Sequence, residues 1–355
     1  MKKLVLVLLL VLGFGTWSWG QERTQDPEFL YDSDRASNPI FDKLNEPHEQ
    51  YHQLLFMHDP ILYLGILPSF SPSKTRLAPL DDGEGNKGYL LEGNLDHRFT
   101  LYKGAYYSPK FLQKLRWTFD AGFTLRMTND TSSPLLPSNN KFGLGVDYLI
   151  SALEKSPAYY LWMTVQLHHY SNGQAKNDFL HESKLRNNYK GGDFSTNYIR
   201  GLFYGAKPFA QHSVGSIGLG YQYDTQLFGP LRVTDEMKAG DYGMNRLLLN
   251  IQYLNKNSFK VKEDNGMRTL IKNCNFMFRS EMSFILDDNL KALAPTDKKY
   301  RFGVHNYAAF YPFAKSSVGF MIKHYYGRDY LNMRYDDVVN SFMAGITVDV
   351  NRINR

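Results

Sequence analysis

Trp117-Thr118-Phe119-Asp120-Ala121-Gly122-Phe123-Thr124-Leu125-Arg126 separates cleanly into two faces. Trp117, Phe119, Ala121, Phe123 and Leu125 fall on one, and Thr118, Asp120, Gly122, Thr124 and Arg126 on the other. Side chains of a strand flip with period two, so this is a strand with one apolar and one polar side. The polar side carries an acid and a base, which suits an enclosed interior. The alternation returns near the C-terminus, where Ala344, Ile346, Val348 and Val350 stand against Thr347 and Asp349. A soluble β-sandwich alternates in the same way, so alternation alone leaves both readings open.

The N-terminus and the composition turn the reading towards a membrane. Lys2 and Lys3 precede an apolar run from Leu4 to Gly15, and Ser18-Trp19-Gly20 puts small residues before Gln21. This predicts a signal peptide over 1–20. The alternative, an uncleaved anchor, needs a longer run than is present. Beyond residue 20 no stretch is long and apolar enough to cross a bilayer as a helix. Yet 15% of the 355 residues are aromatic, 25 of them Tyr and 24 Phe, and the mean hydropathy is only −0.42. Barrel strands, apolar at every second position and rich in interfacial aromatics, account for both values. The net charge of +6 is spread along the chain, which excludes a nucleic-acid partner. Cys274 is the single cysteine, so neither a disulfide framework nor a cysteine-based zinc site can form.

Residues 21–55 are polar and aperiodic and carry Pro27, Pro39 and Pro47, which predicts an irregular periplasmic segment. Residues 56–355 are expected to form the barrel. Alternating segments are found near 60–67, 97–108, 114–127, 140–151, 159–171, 197–209, 213–224, 242–255, 270–284, 301–312, 317–327 and 340–350. The expected fold is therefore all-β, an antiparallel transmembrane β-barrel of about twelve strands, an even number as bacterial barrels have. Long connections near 129–139, 172–196, 225–241 and 285–300 belong on the extracellular side.

The chemistry concentrates in Leu161-Trp162-Met163-Thr164-Val165-Gln166-Leu167-His168-His169-Tyr170-Ser171-Asn172-Gly173. The odd positions Leu161, Met163, Val165 and Leu167 predict a lipid-facing side, which His169 and Ser171 continue. An imidazole two residues from a hydroxyl on one face is placed to take its proton as it attacks a carbonyl. A polar pair on a lipid-facing wall is costly, which favours a functional reading. The plainer reading is a strand end at headgroup level, where polar side chains are tolerated. His168 points the other way and is expected in a luminal hydrogen-bond network. On the following strand Asn197 shares its face with Ile199 and Phe203, while Arg200 faces the lumen. Asn197 is thus placed to orient the imidazole, as the third member of a triad does.

His169-Tyr170-Ser171-Asn172-Gly173 resembles the His-x-Ser-Asn-Gly active-site motif of outer-membrane phospholipase A. Ser132-Ser133-Pro134, the strand beginning near Asn197, and Tyr311-Pro312 followed by Tyr325-Tyr326-Gly327-Arg328-Asp329-Tyr330-Leu331 resemble further elements of that family in order, so the likeness runs from about Asp59 to Val350. The resemblance implies a twelve-stranded barrel in the outer membrane of a Gram-negative bacterium, active as a homodimer. It would hydrolyse acyl ester bonds of membrane glycerophospholipids as a calcium-dependent phospholipase A1/A2. The site would lie on the outer-leaflet side. Ser171 would be the nucleophile, His169 the general base, Asn197 its orienter, and the Gly173 amide a donor to the oxyanion. Calcium would be held by the main-chain carbonyl of Gln174, by Ser132 from across the dimer, and by Asp193, which stands where the family has a serine. The loop between Ser171 and Asn197 is expanded and basic, with Lys184, Arg186 and Lys190. Two alternatives stand beside this. A lipopolysaccharide deacylase also uses His-x-Ser on an outward strand, but on an eight-stranded barrel with an acidic third residue. A non-enzymatic porin needs no coherent His/Ser/Asn face.

Overall fold

The computed structural model describes Leu55 and residues 58–66, 89–104, 109–128, 135, 138–153, 159–173, 193–210, 213–225, 242–263, 266–287, 301–312, 317–331 and 338–349. The expected signal peptide and nearly all of the segment 21–55 lie outside the described residues.

The chain forms a closed antiparallel barrel of twelve strands, each paired with its sequence neighbours. They are β1 (Leu62–Ile66), β2 (Tyr89–Lys103), β3 (Leu115–Thr128), β4 (Asn139–Leu153), β5 (Tyr159–Gly173), β6 (Asp193–Ala210), β7 (Ser213–Thr225), β8 (Asn245–Glu263), β9 (Gly266–Ile285), β10 (Phe302–Tyr311), β11 (Val318–Arg328) and β12 (Val338–Val348). A single turn of helix, α1 (Lys110–Gln113), precedes β3. The barrel closes where β1 pairs with β12, Leu62 opposite Val348 and Ile66 opposite Ala344.

Three strand boundaries differ most from the expectation. β2 begins at Tyr89 instead of near 97, and its pairing with β3 shifts register between Tyr89 and Leu91. That irregularity puts adjacent apolar residues at the strand's start and hides its period. β8 and β9 run on to meet at Glu263 and Gly266, beyond register shifts between Asn257 and Phe259 and between Phe259 and Lys260 that interrupt the period.

Polarity is inverted relative to a soluble protein. The exposed large hydrophobics include Trp117, Leu144, Leu161, Phe203, Leu219, Phe320 and Ile346, at alternate strand positions on the outer wall. The interleaved positions point inward and carry charge. Arg116, Arg126 and Lys323 are among the most buried side chains. A wall that is greasy outside and ionic inside is that of a membrane-spanning barrel.

The interior charges are paired, as burial requires. Arg126 binds Glu92 at 3.0 Å and Asp329 at 3.1 Å, and Lys323 Nζ donates to Glu92 at 2.9 Å and to Tyr63 Oη at 2.6 Å. The chain just before β1 enters this network. Asp59 lies 3.3 Å from Arg98 and 3.1 Å from Arg116, and its carbonyl accepts from Arg279 at 3.0 Å. His58 packs against the stacked rings of Trp162 and Tyr204, and Leu55 joins the same buried cluster. Leu55 thus belongs to the packed interior of the barrel. Polar cavities of about 310 and 200 Å³ remain in the lumen. Their walls include Arg200 and Glu281, which suits neither acyl chain of a phospholipid.

Candidate active site

β5 supplies two interleaved rows of side chains. Trp162, Thr164, Gln166 and His168 are buried in the lumen, while Leu161 and Val165 are exposed on the outer wall. The His168 Nδ1 lies 2.8 Å from Tyr198 Oη, and Nε2 is 3.1 Å from Asp120 Oδ2. This luminal place agrees with the sequence reading. It depends on Gly143 opposite, where a Cβ would lie 2.0 Å from the imidazole Cδ2.

His169 therefore projects outward. β6 runs beside β5 with His169 directly opposite Asn197, and Asn197 shares its phase with the exposed Ile199 and Phe203. The two side chains meet, His169 Nδ1 standing 2.9 Å from Asn197 Oδ1. A carbonyl oxygen accepts, so this contact keeps the proton on Nδ1 and leaves Nε2 with its lone pair. Despite facing outward, His169 is 9% exposed and Asn197 1%. Phe142 on β4 covers the imidazole, with ring centroids 4.9 Å apart, and Thr225 flanks Asn197 on β7.

Ser171 follows on the same face, about 6.6 Å further along the strand from His169. It is half-buried and lies between Asn140 on β4 and Ser195 on β6. Neither neighbour was a candidate from the sequence, because register alone brings them there. Gly173 ends β5 opposite Asp193, the first residue of β6. The side chain of Asp193 is not among those described, and Ser132 and Gln174 lie outside the described residues.

The site is clamped from inside. Tyr170 and Asn172 alternate with His169 and Ser171 and point into the lumen. Tyr170 Oη donates to Asn139 Oδ1 at 2.6 Å, with the Tyr330 carbonyl 3.1 Å away. Asn172 Nδ2 donates to the Leu331 carbonyl at 2.7 Å and lies 3.3 Å from Asn139 Oδ1. On β6, Thr196 Oγ1 donates to Asp224 at 3.2 Å. Luminal hydrogen bonds thus fix the backbone that aims His169, Ser171 and Asn197.

No family model and no curated protein matches the chain. Among solved structures it is similar to the outer membrane phospholipase A from Escherichia coli, at 13% identity and a TM-score of 0.45 over 81% of this chain and 89% of that one. It is also similar to the Salmonella typhi outer membrane phospholipase dimer with bound calcium, at 11% identity and a TM-score of 0.47 over 82% and 90%. Likeness this shallow says nothing of activity, which has to be read from the residues themselves.

Proposed function

We propose that the chain is a calcium-dependent phospholipase A of the outer membrane that hydrolyses acyl ester bonds of glycerophospholipids. The observation that carries this reading is the 2.9 Å contact between His169 Nδ1 and Asn197 Oδ1 on the outer wall, with Ser171 two residues along the same face. An orienting amide on an imidazole beside a hydroxyl is the arrangement of a hydrolytic triad. Its place on the lipid-contacting side brings a bilayer ester to it without extraction into a pocket.

The Ser171 hydroxyl attacks the acyl carbonyl and its proton passes to His169 Nε2. The bond from the acyl carbon to the glycerol oxygen then breaks, and His169 returns the proton to the departing lysophospholipid. A water molecule, deprotonated by His169, releases the fatty acid from Ser171. Asn197 keeps the imidazole in the productive tautomer and stabilises its charged form. The Gly173 N–H donates to the oxyanion.

The residue types at the head of β5 and β6 are oxygen donors of the kind a hard divalent cation takes. Gly173 stands opposite Asp193 there, and a carboxylate, the Gln174 carbonyl and the Ser132 hydroxyl of a second copy form a set that suits calcium. Calcium held by these residues would supply positive charge that favours the oxyanion. The dimer, the signal peptide over 1–20, the periplasmic segment 21–55 and the outer-leaflet position of the site belong to the same proposal.

A lipopolysaccharide deacylase fits less well, because the residue touching His169 is an amide and the barrel has twelve strands. An open porin fits poorly with a lumen holding Arg116, Arg126, Lys323, Leu55 and Asp59. The test is hydrolysis of a fluorogenic phospholipid in mixed micelles by the purified full chain, with and without calcium. Hydrolysis that needs calcium and disappears in Ser171→Ala supports the proposal. Equal rates in Ser171→Ala and the parent protein overturn it.

A further inference from the structure

Nearly opposite β5 and β6 in the barrel order, the outer wall carries a second row of polar side chains. It crosses four adjacent strands, with Ser280 on β9, Asn306 on β10, His324 on β11 and Asn340 on β12. Ser280 and His324 both stand in register with Asn306. All four share the outward phase of exposed neighbours such as Phe284, Phe302, Ile322 and Phe342.

The row is a continuous hydrogen-bonded chain. Ser280 Oγ donates to Asn306 Oδ1 at 2.7 Å. Asn306 Nδ2 donates to His324 Nδ1 at 3.3 Å. Nδ1 then accepts, so Nε2 carries the proton and donates to Asn340 Oδ1 at 3.1 Å. Donation runs one way from Ser280 and ends on the amide NH₂ of the exposed Asn340. Polarisation along such a chain strengthens its last donor.

A lipid-facing wall has no structural need of this row. Apolar residues would serve the barrel at lower cost, and an ionisable side chain there is a functional-site candidate by default. The surroundings indicate what it meets. Towards the extracellular rim stand Phe302 and Tyr326. Towards the opposite rim Ala308 and Ala344 flank Ile322 in register, so small side chains border an exposed apolar one. The row thus lies between an aromatic border and an exposed apolar strip, the surface an acyl chain contacts. His324 is also four residues from the end of β11, as His169 is from the end of β5. A terminal donor above an acyl-chain strip is complementary to a carbonyl acceptor attached to that chain.

We propose that Ser280, Asn306, His324 and Asn340 form a binding site for the ester carbonyl of a membrane glycerolipid, separate from the site on β5 and β6. It does not rest on the hydrolytic reading. Native mass spectrometry of the full chain in non-ionic detergent tests it, with dioleoylphosphatidylethanolamine and its diether analogue as probes. Every arm carries Ser171→Ala, so that hydrolysis cannot alter the probe. The intact row is expected to retain the diester about tenfold more tightly than the diether, the factor one hydrogen bond contributes. Asn306→Leu/His324→Leu/Asn340→Leu is expected to lower diester retention to the diether level, folding being checked by heat-modifiable gel mobility. The diester–diether comparison on the intact row stands even if that variant fails to fold. Equal retention of the two lipids by the intact row overturns the proposal, as does unchanged diester retention by the folded variant. A changed fraction of dimer at constant lipid retention assigns the row to contact between copies and overturns it too.

Discussion

Asn172 Nδ2 donates to the main-chain carbonyl of Leu331 at 2.7 Å, although 159 residues separate them in the chain. The residue next to Ser171 is thereby held by the segment that follows β11, and the nucleophile's backbone is fixed from the inside of the barrel. Asn172→Ala removes this bond and the contact with Asn139. It is expected to lower kcat about tenfold with KM little changed, through loss of orientation. Steady-state hydrolysis of a fluorogenic phospholipid reads this, and an unchanged kcat refutes it.

The amide of Asn197 is expected to matter through its oxygen. Asn197→Ala should reduce turnover by at least about tenfold, the value of one orienting hydrogen bond in the transition state. Asn197→Asp, which keeps an acceptor against Nδ1, should retain more activity than Asn197→Ala. His169→Ala should leave none above background. The order of the three rates, with equal heat-modifiable mobility, is the measurement.

Asp59 sits between Arg98 and Arg116 with the three side chains buried. Asp59→Ala strands two guanidinium groups short of a carboxylate, and truncating one partner of a buried ion pair costs about 3–5 kcal/mol. Urea unfolding followed by gel mobility should show that loss. The milder Asp59→Asn, which keeps an acceptor, should show less.

Phe203 is 60% exposed on the outer wall of β6. Phe203→Lys places an ammonium against hydrocarbon and is expected to destabilise the folded barrel by about 2–4 kcal/mol in bilayers, as charged residues near the midplane do. Folding into phosphatidylcholine vesicles measures it. The same change should be far milder in detergent micelles, where the ammonium reaches water.

Chelation of calcium is expected to abolish hydrolysis, and added calcium to restore it. Asp193→Ala should raise the calcium concentration giving half-maximal rate while leaving the rate at saturation closer to that of the parent. A calcium titration of both proteins decides, and superimposed curves remove Asp193 from the ligand set.

The strands were legible because a lipid-facing wall imposes strict alternation, as in Trp117–Arg126. The contact of His169 with Asn197 followed from parity, since both share the phase of exposed apolar residues on consecutive strands. Other features were not legible. The start of β2 is masked by a register shift near Tyr89. The luminal place of Leu55, His58 and Asp59 depends on partners on distant strands, among them Arg98, Arg116 and Ser216. Asn140 and Ser195 reach Ser171, and Ser280 reaches Asn306, through cross-strand register, which a single sequence does not fix. The proposed calcium ligands Ser132 and Gln174 fall in connections whose sequence has no period to read.

The seam between β1 and β12 has a consequence for how the molecule is made. β1 spans only Leu62–Ile66, and its partner is the last strand of the chain. Leu55, His58 and Asp59, upstream of β1, are enclosed by side chains from strands far round the wall. Closure joins the first described strand to the last, and the ion pairs of Asp59, three residues before β1, with Arg98 and Arg116 accompany that seam.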